Sequence, residues 1–241
     1  MQAVILAGGL ATRLRPITTK IPKAMVSING RPFLEYQIEL LKHQGIEDIV
    51  ICIGYLGNLI REHFGNGQKF DISIRYSDEG LEMLGTGGAL KAAEPLLDKE
   101  FLVINGDSYL VIDTYAVIHS LRSSGKLGTL VAFHSEHSQN LANLIVKDGL
   151  VRHYSKNIRL PEMNHIDAGI SAFHKRALDH LPEMAKVDMG QLYTKLIDQK
   201  ELMAYEAEHR FYDIGTLQGL QDFETFVKTN PNFSSRTGWI N

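Results

Sequence analysis

The strongest constraint on this chain is its rhythm: from the first residues onward, short apolar runs alternate with segments of helical periodicity. "AVILA" at 3–7 is a continuous apolar run of strand length. "FLEYQIELLKHQG" at 33–45 then sets Phe33, Leu34, Ile38, Leu41 and Lys42 at helical spacings, and Gly45 stops it. "DIVICIG" at 48–54 reads as the next strand, "GNLIREHFG" at 57–65 as a short helix ended by Gly65, and "DISIRYS" at 71–77 as an alternating strand. "GGALKAAEPLL" at 87–97 begins a helix that Pro95 closes, and "FLVINGD" at 101–107 is again nearly all apolar up to its end. The order β-α-β-α-β-α-β over 1–107 predicts a doubly wound α/β fold: a mostly parallel, mixed sheet with helices on both faces.

Beyond residue 107 the rhythm loosens. "TYAVIHSLRSSG" at 114–125 reads as a helix and "LGTLVAF" at 127–133 as a strand. "LANLIVKDGLVRHYS" at 141–155 carries the turn signal Lys-Asp-Gly between two short apolar runs, which predicts a hairpin. "DAGISAFH" at 167–174 is a strand, "RALDHLP" at 176–182 a short helix, "MGQLYTKLIDQ" at 189–199 a helix, "LMAYEA" at 202–207 a strand and "TLQGLQDFETFVKT" at 216–229 a long final helix. The tail "NPNFSSRTGWIN" is polar and reads as irregular. With no repeat, low-complexity segment or linker, the expectation is a single domain over 1–241. Its residues 1–110 form a nucleotide-type half, and 111–241 complete the same sheet.

Composition excludes several function classes. A formal net charge of −3 with 22 % charged residues offers no basic excess for nucleic acid. The one cysteine, Cys52, lies inside an apolar strand and reads as a small buried hydrophobe, so neither a disulfide framework nor a cysteine-based zinc site is available within the chain. No run reaches the ~18 apolar residues of a membrane helix, and the chain opens on a strand instead of a secretion signal. A cytoplasmic, membrane-free protein is the expectation. The helix-face patterns fit a homodimer and a monomer equally.

The stretch after the first strand, "GGLATRLRPITTKIPK" at 8–23, points to chemistry. Ligands of a doubly wound sheet bind beyond the carboxyl ends of its strands. There, Gly8 and Gly9 let backbone N–H groups approach an anion, Arg13 and Arg15 add cationic forks, and Lys23 adds a mobile point charge. The first acid in the chain is Glu35; average composition would place about four in the preceding stretch. A solvated surface would mix signs, so the pattern predicts a polyanion site. It is neither the G-x-x-x-x-G-K-[ST] phosphate loop nor the G-x-G-x-x-G dinucleotide fingerprint.

These residues resemble the signature of the sugar-1-phosphate nucleotidyltransferases, G-G-x-G-T-R-L-x-P-x-T followed by x-P-K-x-M. Gly8, Gly9, Thr12, Arg13, Leu14, Pro16, Thr18, Pro22, Lys23 and Met25 match, while Ala11 stands where the family has a third glycine. The resemblance continues in order along the chain. "MLGTGGAL" at 83–90 looks like the base-recognition segment, "VINGDSY" at 103–109 like the strand-end aspartate motif, and "FYDIGT" at 211–216 like the second metal segment. "HIDAGISAF" at 165–173 looks like the sugar-contacting N-x-G-I strand, with Asp167 in place of the usual asparagine. "RHYSKN" at 152–157 is a weaker match to V-x-x-x-x-E-K-P, with Ser155 and Asn157 as departures.

The resemblance implies a Rossmann-like nucleotidyltransferase fold and the reaction of a nucleoside triphosphate with a sugar 1-phosphate to give a nucleoside-diphosphate sugar and pyrophosphate. It assigns catalysis to Arg13 and Lys23. Nucleotide binding falls to Leu6, Ala7, Gly8, Gly9, Thr12, Arg13, Gly85, Thr86 and Gly87, and sugar-phosphate binding to Asn105, Lys156, Asp167, Gly169 and Asp188. Asp107 and Asp213 would bind Mg²⁺. Taken alone, Asp107 could cap a turn, and Asp188 and Asp213 could cap helices. Within the family, "MQAVILAGGLATRLR", "NGRPFLEYQIELLKHQGI", "ICIGYLGNLIREHFGNG" and "LGTGGAL" look closest to the D-glycero-D-manno-heptose 1-phosphate guanylyltransferases. Mannose-1-phosphate guanylyltransferases and N-acetylmuramate-1-phosphate uridylyltransferases are near rivals. A non-catalytic nucleotide-sugar-binding subunit is the alternative of another class.

Overall fold

The computed structural model describes residues 1–10, 12–80, 82–137 and 142–230. Ala11 and the tail from 231 onward, both singled out above, lie outside them.

The apolar run after Met1 becomes β1 (Gln2–Leu6), and all five residues are buried. Its side chains alternate between two cores: Ala3 and Ile5 enter one, Val4 and Leu6 the other. The same alternation recurs in β4 (Asp48–Ile53), where Ile49, Ile51 and Ile53 face one core and Val50 and Cys52 the opposite one. A strand buried on both faces needs helices on both faces. On the first lie α1 (Phe33–His43), α2 (Gly57–Phe64) and α4 (Thr114–Ser124); on the second lie α3 (Gly85–Ala92) and α5 (Met189–Asp198).

The other strands of the main sheet are β5 (Ser73–Asp78), β6 (Glu100–Asn105), β8 (Gly128–His134), β9 (Leu144–Lys147), β10 (Leu150–Tyr154), β11 (His165–His174) and β12 (Leu202–Ala207). Their order is β5-β4-β1-β6-β11-β8-β12-β10-β9. The first four are parallel, as expected from the β-α-β rhythm, and β11 enters antiparallel between β6 and β8. The Lys-Asp-Gly hairpin is β9–β10. Strand β9 also meets β11 through Leu144 and His165, so β11, β8, β12, β10 and β9 close on themselves. Residues from both halves of the chain therefore share one sheet.

Several local expectations need correction. Lys42 is not part of the buried stripe of α1; its ammonium reaches the carboxylate of Asp71, 2.9 Å away. Gln37 takes a buried place on that face instead. The helix expected at 87–97 starts two residues earlier and ends at Ala92, with a 3₁₀ turn over Glu94–Leu96 where Pro95 lacks an N–H. "RALDHLP" forms a 3₁₀ helix over Lys175–His180. Four two-residue strands were not legible at all: β2 (Ser27–Ile28) pairs with β3 (Arg31–Pro32), and β7 (Ser108–Tyr109) with β13 (Tyr212–Asp213).

The final helix α6 (Leu217–Thr229) is capped by Thr216, whose hydroxyl accepts the N–H of Gly219. Phe223 of this helix enters a third cluster with Phe33, Tyr36 and Tyr109, at ring-centroid distances of 4.9–5.6 Å. That packing seats the β13 segment, which just precedes α6, against β7. Cys52 is fully enclosed, and burial pushes its thiol up to about 12, in keeping with a structural role. Among the described residues no helix is long and apolar enough to cross a membrane.

Candidate active site

At the carboxyl edge of the parallel strands the backbone of β1 continues past Leu6. Ala7 N–H donates to the carbonyl of Cys52 at 2.9 Å, and Gly106 N–H donates to the carbonyl of Leu6 at 2.9 Å. A side chain at residue 106 would sit 2.6 Å from that Leu6 oxygen, so the close approach of the two strand ends requires glycine. A cleft of about 200 Å³ opens here. Of the site residues expected from the sequence, Leu6, Ala7, Gly9, Lys23, Thr86, Asn105, Asp107, Lys156 and Asp167 line it. Ala24, Gly106, Tyr154, Met189 and Tyr193 complete the lining.

The basic loop folds as three short 3₁₀ turns, anchored by buried Leu14, Thr18 and Ala24. This anchoring carries Lys23 to the end of β6, where its ammonium lies 2.5 Å from Asp107 Oδ2. Asp107 thus does more than cap a turn. Its backbone carbonyl accepts the N–H of Ile214 at 2.9 Å, and Asp213 is in register with Ser108, so the two aspartates arrive on adjoining strands from 106 residues apart. Asp213 Oδ1 accepts the N–H of Gly215 at 2.6 Å. The exposed guanidinium of Arg13 lies on the same segment: a Cβ at Gly215 would be 2.9 Å from one of its nitrogens.

Burial, reinforced by the charge of Asp107, raises the Asp213 carboxyl above its ordinary value; the Gly215 N–H, Lys23 and Arg13 act in the opposite sense. Two mutually repelling carboxylates in a partly buried place are a donor set that a hard divalent cation suits. Among the described residues no third acid, histidine or cysteine joins them, so a cation held by these two carboxylates would draw its other ligands from substrate and water.

On the opposite wall Lys156 Nζ pairs with Asp188 Oδ2 at 2.9 Å. Asp188 also caps α5, accepting the N–H of Gly190 at 2.7 Å, so both of its expected roles are available to one side chain. Beyond this ion pair the cleft continues into an open hollow of about 550 Å³. Asp167 Oδ1 accepts the N–H of Gly169 at 2.9 Å, and burial pushes its carboxyl up to about 6. Gly169 has φ +76°, and a side chain there would overlap Ser108. It therefore marks the irregularity in β11 that turns Asp167 toward the cleft. Tyr154 and Tyr193 meet edge to face at 5.0 Å, and burial followed by the Asp167 charge holds both phenols un-ionised.

The base segment departs from its expected form. The space beside Gly85, Gly87 and Gly88 is filled by the backbone of 185–188, and the N–H groups of Gly87 and Gly88 both donate to the carbonyl of Val187. These glycines serve helix packing, and the N–H groups of Gly87 and Gly88 are not presented to a ring edge. Thr86 does line the cleft, and its hydroxyl accepts the N–H of Met189 at 3.0 Å. Gly9 faces open space, whereas a side chain at Gly8 would overlap the carboxylate of Glu79. Arg13, Thr12, Gly8, Gly85, Gly87, Gly169, Asp188 and Asp213 lie outside the cleft lining itself.

Glu79 was not singled out from sequence. It follows β5 at the same sheet edge, abuts Gly8 and Gly54, and accepts the N–H of Leu84 at 2.8 Å. Burial raises its carboxyl, the Leu84 N–H opposing. Its position two residues past the strand expected at 71–77, at the edge of the predicted parallel sheet, was the available signal.

A model of the nucleotidyl transferase family matches residues 2–230. The chain is 30 % identical over 233 residues to a UTP–glucose-1-phosphate uridylyltransferase of Synechocystis, an alignment covering 89 % of this chain and 60 % of that protein. It is 46 % identical over 113 residues to a D-glycero-alpha-D-manno-heptose 1-phosphate guanylyltransferase of Campylobacter jejuni, covering 47 % and 50 %. The chain thus spans one half to three fifths of the length of these relatives. The crystal structure of HddC from Yersinia pseudotuberculosis complexed with GMP-PN superposes with a TM-score of 0.79 at 28 % identity, covering 93 % of this chain and 99 % of that one. With the family model matching nearly the whole described chain, over a doubly wound sheet that carries the glycine and basic loop at its edge, this chain belongs to the nucleotidyl transferase family.

Proposed function

We propose that this protein transfers a nucleotidyl group from GTP to a sugar 1-phosphate, D-glycero-D-manno-heptose 1-phosphate, and releases pyrophosphate. The observation that carries the reading is the meeting of Lys23, Asp107, Asp213 and Arg13 at one sheet edge, beside the cleft lined by Lys156 and Asp167. An oxygen of the sugar phosphate forms the new bond to the α-phosphorus as the bond to the pyrophosphate oxygen breaks. No general base is needed, because the attacking phosphate is already ionised near neutral pH. The obstacle is bringing two anions together and stabilising charge on the leaving group, a task of positioning and electrostatics.

Arg13 serves the leaving pyrophosphate and α-phosphate, Lys23 the α-phosphate region, and Lys156 the sugar phosphate. Leu6, Ala7, Gly8, Gly9 and Thr12 form the nucleotide shelf, with Thr86 at its far side. Asn105, Asp167, Gly169 and Asp188 form the sugar side. Asp107 and Asp213 would hold Mg²⁺, which when bound neutralises phosphate charge. Lys23 and Lys156 each hold a carboxylate here and exchange it for phosphate as substrates enter.

Glu79 supports the choice of guanine. An ionised carboxylate only accepts hydrogen bonds, and guanine presents N1–H and the 2-amino N–H side by side, a two-point match. Uracil and thymine present one N–H between two carbonyls, which would set a carbonyl against the second carboxylate oxygen. The names of the C. jejuni relative and of the Yersinia complex agree with a guanine nucleotide. The test is pyrophosphate release from each of the four nucleoside triphosphates paired with heptose, mannose, glucose and N-acetylmuramate 1-phosphates. GTP with the heptose phosphate should give the highest kcat/KM. Release with no pair would leave the nucleotide-sugar-binding subunit as the reading.

A further inference from the structure

We infer that Gln37, buried on α1 behind the turn that follows β6, is a positioning residue that fixes the spacing of the Asp107 and Asp213 carboxylates. The inference rests on the reading of those two aspartates as metal ligands. Gln37 sits in the apolar stripe of α1 between Phe33, Leu34, Ile38 and Leu41, and is 2 % exposed. Burying a primary amide is costly unless its polar atoms are paired. Here the amide nitrogen donates to the carbonyl of Asn105 at 2.9 Å and to that of Ser108 at 2.7 Å, the two residues that bracket Gly106 and Asp107. The amide oxygen is buried with no partner. A methionine would fill the same volume and leave no orphaned oxygen on α1, so packing alone does not account for the amide. What it supplies is a two-point clamp on a turn that has left the β6 ladder.

The backbone of the turn is also held by Gly106 N–H to the Leu6 carbonyl and Ile214 N–H to the Asp107 carbonyl, beside the side-chain pairing of Asp107 with Lys23. The second carries its position to β13, where Asp213 sits opposite Ser108. Releasing Gln37 therefore loosens the backbone on both sides of Asp107 and, through the β7–β13 pair, its register with Asp213. Carboxylates shared by one cation need that spacing held within a fraction of an ångström.

The structure contains a matched control. Gln44, also buried at 9 % exposure, holds two hydrogen bonds through its amide oxygen, from the N–H and hydroxyl of Thr114 at 2.9 and 2.7 Å, and leaves its amide nitrogen buried without a partner. It secures the start of α4 and touches neither aspartate segment. Gln37→Met and Gln44→Met thus each remove two buried hydrogen bonds and should cost similar stability in urea. Mn²⁺ is titrated into the full chain and the free ion read by electron paramagnetic resonance, with Asp107→Asn defining the site. Gln37→Met should raise the Mn²⁺ dissociation constant about 10- to 100-fold, while Gln44→Met stays within about threefold of wild type. Should Gln37→Met fail to fold, Gln37→Asn, whose amide falls one methylene short of the two carbonyls, should weaken Mn²⁺ in the same direction. A Gln37 variant that binds Mn²⁺ as Gln44→Met does overturns the inference. Asp107→Asn that binds as wild type does overturns the metal reading beneath it.

Discussion

Replacing Asp167 by asparagine isolates the cost of keeping a carboxylate in the wall of the cleft. The asparagine oxygen can still accept the Gly169 N–H now made at 2.9 Å, so the backbone irregularity in β11 is retained and only the charge is lost. Burial is the largest influence on this carboxyl and lifts it from 3.8 to about 6; Gly169 N–H and Lys156 act against the rise, and Asp107 and Asp188 add to it. The folded state therefore holds its proton more tightly than the unfolded chain. Below pH ~4 both states are protonated and the group costs nothing; between ~4 and ~6 the unfolded chain ionises first and stability falls as pH rises; above ~6 the full penalty applies. A difference of this size is worth roughly 3 kcal/mol, and cleft water screening a side chain that is only partly covered brings it to about 2 kcal/mol. Urea unfolding of both proteins, followed in parallel from pH 4 to 8 with EDTA present, gives their stability difference free of other titrations. Asp167→Asn should match wild type near pH 4 and exceed it by about 2 kcal/mol at pH 7.5. A variant no more stable than wild type at pH 7.5, with a flat difference across the range, refutes the reasoning.

Three further substitutions test the reacting side. Asp107→Asn should fold with an unchanged circular-dichroism spectrum yet lose Mn²⁺ binding and turnover; full activity with Mg²⁺ would contradict its role. Arg13→Ala should lower turnover by about two orders of magnitude or more in steady-state pyrophosphate release, and a change under about threefold would remove Arg13 from the phosphate site. Glu79→Gln, which offers one acceptor and one donor in place of two acceptors, should shift the kcat/KM ratio away from GTP and toward UTP. An unchanged ratio would place the base elsewhere.

The strand and helix order over 1–107 could be read because each signal is local. An apolar run of five residues or a 3.6-residue stripe reports how a segment partitions against water wherever its neighbours lie. The loop's charge asymmetry was legible for a similar reason, since an acid-free stretch from Met1 to Leu34 is a property of composition. Short strands such as β7 and β13 carry no such signal: two residues have no period, and their pairing joins distant segments against which α6 packs its Phe223 on Tyr109.

What the residues alone determined, then, was the class of fold, the sheet edge that carries the glycine and basic loop, and the cationic, acid-free character of that loop. Tertiary structure alone decided the partners: Lys23 against Asp107 across 84 positions, Glu79 beneath Gly8, Gln37 behind the turn that carries Asp107, and the filling of the glycine segment by residues 185–188. Periodicity tells a side chain which side of its own element is dry. Which distant group meets it there depends on the order in which strands assemble, and that order is a property of the whole chain.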